Sequence, residues 1–330
     1  MMTAKAAATL FFCISASLCT AACGRYADFT LPVLPNASTA IPMALHFNAN
    51  PVLGRGDWDS GDVLNPTVAF FHGEYYNLYS GFDGRTWHTG LAISSDGVNW
   101  RKQGKVLSPN PATWEGTYIA ANGSALVVRN QLWYWYQAGD RDSARIGLAR
   151  SADGKIWRKE PRSVLDPGPY MSWDERAVAD PFVLQKDGWF CLYYLGQNRA
   201  GQQQLGLARS RDGITWVKLR SNPVATIPLP GSGTATENGL GEPAVWEQGG
   251  AYWMLYTGRD AHETRTLAMM RSGDGVHWIA AGQPLKGQQP WNAKVLCDPA
   301  VLGNRFWFGG GDIASPDENL HGQIGTGELK

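Results

Sequence analysis

Short apolar or alternating runs separated by glycine turns recur along most of this chain, and each predicts a β-strand. Residues 63–71 (VLNPTVAFF) are apolar enough to be buried on both faces. After a His72-Gly73 turn, residues 74–81 (EYYNLYSG) alternate, and residues 89–94 (TGLAIS) make a third strand. Asp96-Gly97 then closes a hairpin into a fourth strand at 99–107, because Asp-Gly supplies the positive φ that tight hairpins require. The register returns with second strands at 132–139, 189–196, 252–258 and 306–311, and with third strands IGLARS, LGLARS, TLAMMRS and IGTGEL.

A marker accompanies the repeat: Ser-x-Asp-Gly-x-x-Trp at 94–100, 151–157, 210–216 and 272–278. Its tryptophans fall at 100, 157, 216 and 278, a period of 57 to 62 residues. That is too long for a helical solenoid and suits one propeller blade. The fifth copy stops at Lys330 without a fourth strand, whereas residues 46–53 (HFNANPVL) resemble the fourth-strand endings GKVLSP, RSVLDP, SNPVATI and GQPLKG. The N-terminal strand is therefore expected to complete the last blade and remove exposed edges. The expected fold is all-β: a five-bladed β-propeller over residues 45–330, with four antiparallel strands per blade.

Composition narrows the partners. With 330 residues, 18% charged, and a formal net charge of zero, the chain lacks the basic surface that nucleic-acid binding uses. Fifteen Trp, 12 Tyr and 39 Gly fit aromatic strands joined by tight turns. Residues 1–22 read as a signal peptide: Lys5 is the positive start, 6–18 a short apolar stretch, and Thr20-Ala21-Ala22 a small-residue cleavage site. The apolar stretch is too short to span a bilayer. Cys23-Gly24 resembles a bacterial lipoprotein signal, so lipidation of Cys23 and membrane attachment are expected, with residues 23–44 as a tether. The expected location is exported: periplasmic, outer-membrane or secreted. Cys191 and Cys297 lie in different repeats and read as buried thiols rather than a disulfide, and no Cys/His spacing suggests zinc.

In a propeller the first strands line the axis and run the same way, so equivalent residues near their starts form a ring at one mouth. They are Asn65-Pro66, Asn122-Gly123, Asp180-Pro181, Glu242-Pro243 and Asp298-Pro299. Three carboxylates converging there repel one another and raise at least one pKa. Glycoside hydrolysis needs such a set: one protonated carboxyl and one ionised carboxylate. The Ser-x-Asp-Gly-x-x-Trp turns belong to the opposite end and read as scaffold. Loops expected at the carboxylate mouth carry Arg85, Trp87 and His88; Asp140, Arg141, Asp142 and Arg145; Gln197, Asn198 and Arg199; and Arg259, Asp260, His262 and Arg265. Such groups pair with vicinal hydroxyls, and the arginines also suit a uronic acid or inorganic phosphate. Trp58, Trp114, Trp173 and Trp291 repeat too regularly for a sugar platform and are expected to pack between blades.

On these residues, about 45 to 325 of the chain resembles the five-bladed propeller glycosidases of the arabinanase, β-xylosidase, invertase and levansucrase superfamily, with the related mannoside phosphorylases. Asp180 in AVADPFV matches the family's orienting, pKa-tuning Asp, and Glu242 in GLGEPAV its general acid. The first-blade position, an Asp in the family, is Asn65 here, and an amide cannot act as a general base. Asp298 and Asp62 are the alternative carboxylates for that role. The resemblance implies an exported glycoside hydrolase-like protein; a β-mannoside phosphorylase-like enzyme and a non-catalytic carbohydrate-binding surface lipoprotein stay open. No cofactor is implied beyond the axial calcium that some relatives hold through a last-blade histidine, here His321 in NLHGQIG.

Overall fold

The computed structural model describes residues 25–37, 40–41, 43–226 and 234–330. The proposed signal peptide and Cys23 lie outside them. Among the described residues the fold is all-β, with a single short 3-10 turn at Pro290–Asn292.

The strands pair as antiparallel runs that follow the sequence repeat. The first is Asp62–Phe71, Glu74–Phe82, Trp87–Ser94 and Arg101–Leu107. The second is Ile119–Val128, Gln131–Gly139, Arg145–Ser151 and Arg158–Lys159, and the third Ala177–Lys186, Trp189–Gln197, Gln203–Ser210 and Val217–Leu219. The fourth is Gly239–Gln248, Ala251–Arg259, Arg265–Ser272 and Trp278–Ala280. In the fifth, Val295–Leu302, Arg305–Gly311 and Gln323–Leu329 are followed by Leu45–Phe47 from the N-terminal part of the chain. That last strand is shorter than residues 46–53: after the Asn48 N–H donates to Thr326 O the chain bends at Ala49-Asn50, and pairing resumes where the Val52 and Leu53 N–H groups donate to Ile324 O.

Short parallel contacts join the first run to the second and the fourth to the fifth, giving three hydrogen-bonded sheets. The first strand of each run lies beside those of its neighbours in order, and Val295–Leu302 lies beside Asp62–Phe71. The core is divided accordingly into layers between consecutive runs. One layer joins Leu78 and Leu91 to Tyr134 and Tyr136, another Trp135 and Leu148 to Leu192 and Tyr194, and another Val63 and Tyr79 to Trp307 and Ile324.

The repeated marker proves to be a self-bonded turn. In the second copy Ser151 Oγ accepts the Gly154 N–H at 2.8 Å, and Asp153 Oδ1 accepts the Lys155 and Ile156 N–H groups. Three of the four turns are gripped by the preceding run: Trp135 Nε1 donates to Gly213 O, Tyr193 Oη to Gly275 O, and Trp307 Nε1 to Gly97 O, whereas Gly154 O accepts from Trp157 of its own turn. The Trp307 contact joins the fifth run to the first.

Two further features anchor the runs. Trp58 and Trp114 stack on Tyr79 and Tyr136, and Trp291 on Phe308, while Trp173 packs tilted against Tyr194, as packing residues do. Below three of them lies a buried acid held by the tyrosine hydroxyl and a lysine: Asp59 with Lys102 at 2.6 Å, Glu115 with Lys159 at 2.7 Å, and Asp174 with Lys218 at 2.6 Å. The glycine of the third strands makes room: a Cβ on Gly90, Gly147 or Gly206 would stand 2.3 to 2.6 Å from the Tyr79, Tyr136 or Trp173 ring.

Residues 25–37, within the stretch read as a tether, run along the body. Tyr26–Ala27 pairs in parallel with Lys218–Leu219, and the Leu31 and Leu34 N–H groups donate to the 273–274 turn. Leu31, 2% exposed, fills the space above Gly275, so burying it offsets the entropy of ordering this segment.

Candidate functional site

Proline inside a strand removes a ladder hydrogen bond and is tolerated at bulges. Here Pro66, Pro181, Pro243 and Pro299 each fall within a first strand, and in every first strand the pairing slips at that place. In the second run Gly123 replaces proline, because a Cβ there would meet Trp135 O at 2.4 Å. The residue before each is left-handed: Asn65 at φ 48°, Asn122 at 46°, Asp180 at 45°, Glu242 at 51° and Asp298 at 51°. Five equivalent bulges thus turn five side chains out of the pleat toward one place.

They line one cavity of about 260 Å³, together with Trp87, Gln137, Arg141, Asp142, Gln197, Gln203, Arg259 and Arg265. On the other side of the same five residues a smaller cavity is lined mainly by apolar side chains such as Val68, Leu126, Phe182 and Val301. The polar ring is therefore the floor of the larger pocket.

Asn122 and Asp298 are fixed by neighbours. Ser80 Oγ donates to Asn122 Oδ1 at 2.7 Å, and Asn122 Nδ2 donates to Asp180 Oδ1 at 3.2 Å. Asp298 Oδ2 accepts from the Asn65 N–H and the Cys297 thiol, both at 3.1 Å, and its own N–H donates to Thr257 Oγ1. Glu242 Oε2 and Asp298 Oδ1 are buried with no hydrogen-bond partner among the described residues.

Electrostatics follow from this crowding. Burial, then the Glu242 charge, pushes Asp180 up to about 7, and the same two causes hold Asp298 well above the usual carboxylate range. Burial works against the charge of Arg265, but facing Cys297, Glu242 and Asp298 more than offset it and raise its pKa. Glu242, Cys297 and Asp298 are grouped closely enough to face one metal ion, yet the Arg265 guanidinium already supplies a cation to all three.

Over the mouth lies the segment 312–322. Arg141 forms ion pairs with Asp317 at 2.7 Å and Glu318 at 2.6 Å, and its guanidinium stacks on Tyr118, whose hydroxyl also donates to Glu318. Arg259 and Arg265 donate to Pro316 O. This strap reaches from the fifth run to arginines of the second and fourth.

Several residues expected at the mouth stand elsewhere. Asp62 is fully buried, and its carboxylate accepts the Asn319, Leu320 and Gly322 N–H groups, anchoring the strap's end instead of facing the pocket. His88 is buried between Ser108 and Asp83. Arg85 follows Asp83 in an exposed turn, Arg145 lies 3.7 Å from Asp166, Asn198 closes its own turn onto Gln202, and His262 sits in an exposed turn capped by Asp260. His321 pairs with Asp312 and does not line either axial cavity. Sequence reasoning missed Tyr118, Gln137, Gln203, Thr257, Pro316 and Asp317. Ser80, Gln137 and Thr257 share one place, directly after the aromatic residue of the second strand, and that repeat spacing was the available signal.

Residues 66–221 and 183–297 match the family described as glycosyl hydrolases family 32 N-terminal domain. An uncharacterized protein of Mycobacterium tuberculosis (strain CDC 1551 / Oshkosh) is 28% identical over 228 residues, 63% of this chain and 75% of its own. A 1,2-beta-oligomannan phosphorylase of Thermoanaerobacter sp. (strain X514) is 27% identical over 135 residues, 39% of this chain and 41% of that protein. Among solved structures, one from the GH130 family of mannoside phosphorylases, described as containing glycoside hydrolases that target β-1,2 mannosidic linkages in Candida mannan, superposes with a TM-score of 0.66 at 17% identity. It covers 90% of this chain and 96% of that one. A thermostable family-43 glycoside hydrolase gives 0.65 at 16% identity, covering 86% and 95%. At these identities the likeness is one of fold, that of the propeller glycoside hydrolases.

Proposed function

Because the chain belongs to the glycosyl hydrolases family 32 N-terminal domain family, we propose that it cleaves glycosidic bonds of an oligo- or polysaccharide in the axial pocket of a five-bladed propeller. Glu242 is the general acid and Asp180 the carboxylate that orients substrate and tunes the acid. The observation that carries this reading is the convergence of Glu242, Asp180 and Asp298, on equivalent left-handed bulges, into one pocket beside Arg259 and Arg265. In this reading Glu242 gives a proton to the leaving oxygen as the bond to the anomeric carbon breaks, and water adds to that carbon. Export and attachment through a lipidated Cys23 belong to the same proposal and rest on the N-terminal sequence.

A second reading, phosphorolysis of a β-mannoside, is favoured by Asn65. With an amide where the family has a carboxylate, a phosphate that brings its own nucleophilic oxygen needs no general base, and Arg141, Arg259 and Arg265 line the pocket.

The test is an activity screen with aryl glycosides and oligosaccharides, β-1,2-mannooligosaccharides among them, with and without inorganic phosphate. Release of sugar from the wild type is expected to fall by about 100- to 10,000-fold in Glu242→Gln. Release only when phosphate is present replaces hydrolysis by phosphorolysis. Saturable sugar binding with no Glu242-dependent release overturns both and leaves a carbohydrate-binding protein.

A further inference from the structure

Two oxygens on the pocket floor lack partners among the described residues. Glu242 Oε2 and Asp298 Oδ1 are both buried without a hydrogen-bond donor, and the cluster of Glu242, Asp298 and Cys297 ligand atoms spans no more than 4.8 Å. Two ionised carboxylates cannot be neighbours in a walled pocket without strong repulsion, and a buried acceptor without a donor adds its own penalty. One proton between the two groups removes both costs.

We infer that Asp298 and Glu242 form a one-proton dyad in which Asp298 Oδ1–H donates to Glu242 Oε2, making Asp298 the proton reservoir of the general acid. This deepens the proposed function and rests on it for the role of Glu242; the dyad itself does not.

The neighbours fix which partner holds the proton. Asp298 is 4% exposed, and its Oδ2 is already occupied by the Asn65 N–H and the Cys297 thiol, which leaves Oδ1 for the proton. Glu242 lines the open pocket and is half-buried, so its charge is the better solvated. Arg265, from the third strand of the fourth run, faces both carboxyls and Cys297, and neutralises the single negative charge of the pair. Asp180 on the third run is the other titrating group facing Glu242, with Arg259 and Arg265 opposite. Desolvation of Asp298 beside Glu242 agrees in direction.

The proton count balances. In the resting pair one proton is held. When the glycosidic C–O bond breaks, that proton passes from the dyad to the leaving oxygen, and both carboxyls are briefly ionised beside Arg265. The proton released by the attacking water, or by hydrogen phosphate in phosphorolysis, restores the pair.

Infrared titration of the resting protein tests the dyad without substrate. At about pH 7 a protonated-carboxyl band is expected in the wild type and in Asp180→Asn, where Asp180, which burial and Glu242 raise to about 7, no longer contributes, and its loss is expected when Asp298→Asn is added to Asp180→Asn. No such band in the wild type overturns the inference whatever the activity, and needs no variant to fold. A band that persists in the double variant also overturns it.

With a substrate in hand, kcat/KM against pH supplies the mechanistic half. Asp298→Asn is expected to move the alkaline limb to lower pH, with about 10-fold or greater loss near neutrality that recovers toward pH 5. A purely structural role lowers the rate equally at every pH, and that result overturns the reservoir. If the band is present and Asp298-dependent while Glu242→Gln still turns over substrate, the function proposal fails and the dyad stands.

Discussion

An ionised Asp180 is unfavourable in this fold. Burial and the Glu242 charge lift its pKa from 3.8 to about 7. Between those values the native state binds more protons than the unfolded chain, so stability falls as pH rises. The contribution is fully present below pH 3.8 and lost once the pH passes about 7. Asp298, raised for the same causes, carries the same sign further upward. Asp180→Asn is expected to flatten the decline in Tm between pH 5 and pH 8, and an unchanged slope in thermal unfolding counts against the burial assigned to it. The turn aspartates act in the opposite sense. The Ile156 and Lys155 amides lower Asp153, and at Asp274 burial opposes but the His277 and Val276 bonds prevail, bringing it to about 2. Their stabilisation is present above pH 3.8 and is lost as the pH falls through the lowered values. The ring positions were legible at this scale because four of the five precede a proline in mid-strand, and the fifth, Asn122, shares their place in the repeat. Which ring carboxyl keeps a proton was not, since that depends on how deeply each is walled.

The acid, tyrosine and lysine groups under the repeated tryptophans are the element-scale device. Each links the segment before a first strand to the second and fourth strands of the same run. The three differ in depth: the Lys218 side chain is 8% exposed and that of Lys102 26%. Removing one partner of a buried pair leaves the other charge uncompensated. Asp174→Ala is therefore expected to cost about 3–5 kcal/mol of stability, measured by urea denaturation. Asp59→Ala is expected to cost less, because Lys102 reaches solvent; equal losses would show that exposure is not what separates them. The tryptophans were readable as packing from their regularity alone. Their stacking partners and the lysines beneath repeat with them, the tyrosines 21 or 22 residues on and the lysines two residues after Trp100, Trp157 and Trp216, but only the pairing of the strands brings these regular positions together.

Across the whole molecule, the strap at 312–322 is the asymmetric part: it covers a pocket built from five equivalent positions and joins the fifth run to Arg141 of the second. Its ion pairs are half-exposed, and such pairs contribute about 0–1 kcal/mol to folding. Arg141→Ala is expected to leave the urea midpoint nearly unchanged, while raising KM for an oligosaccharide by about 10-fold as the strap loses its hold; an unchanged KM would remove the strap from the binding surface. Periodicity by itself determined the strands, the four-strand unit, the self-bonded turns and the equivalence of Asn65, Asn122, Asp180, Glu242 and Asp298, because each is local or repeats with the chain. Only the tertiary structure decided that Asp62 anchors the strap, that His88 and Arg145 stand away from the pocket, that residues 25–37 lie along the body, and that Asp298 is walled more deeply than Glu242. Those outcomes turn on which side chains meet over long sequence separations, and on how much water is left between them.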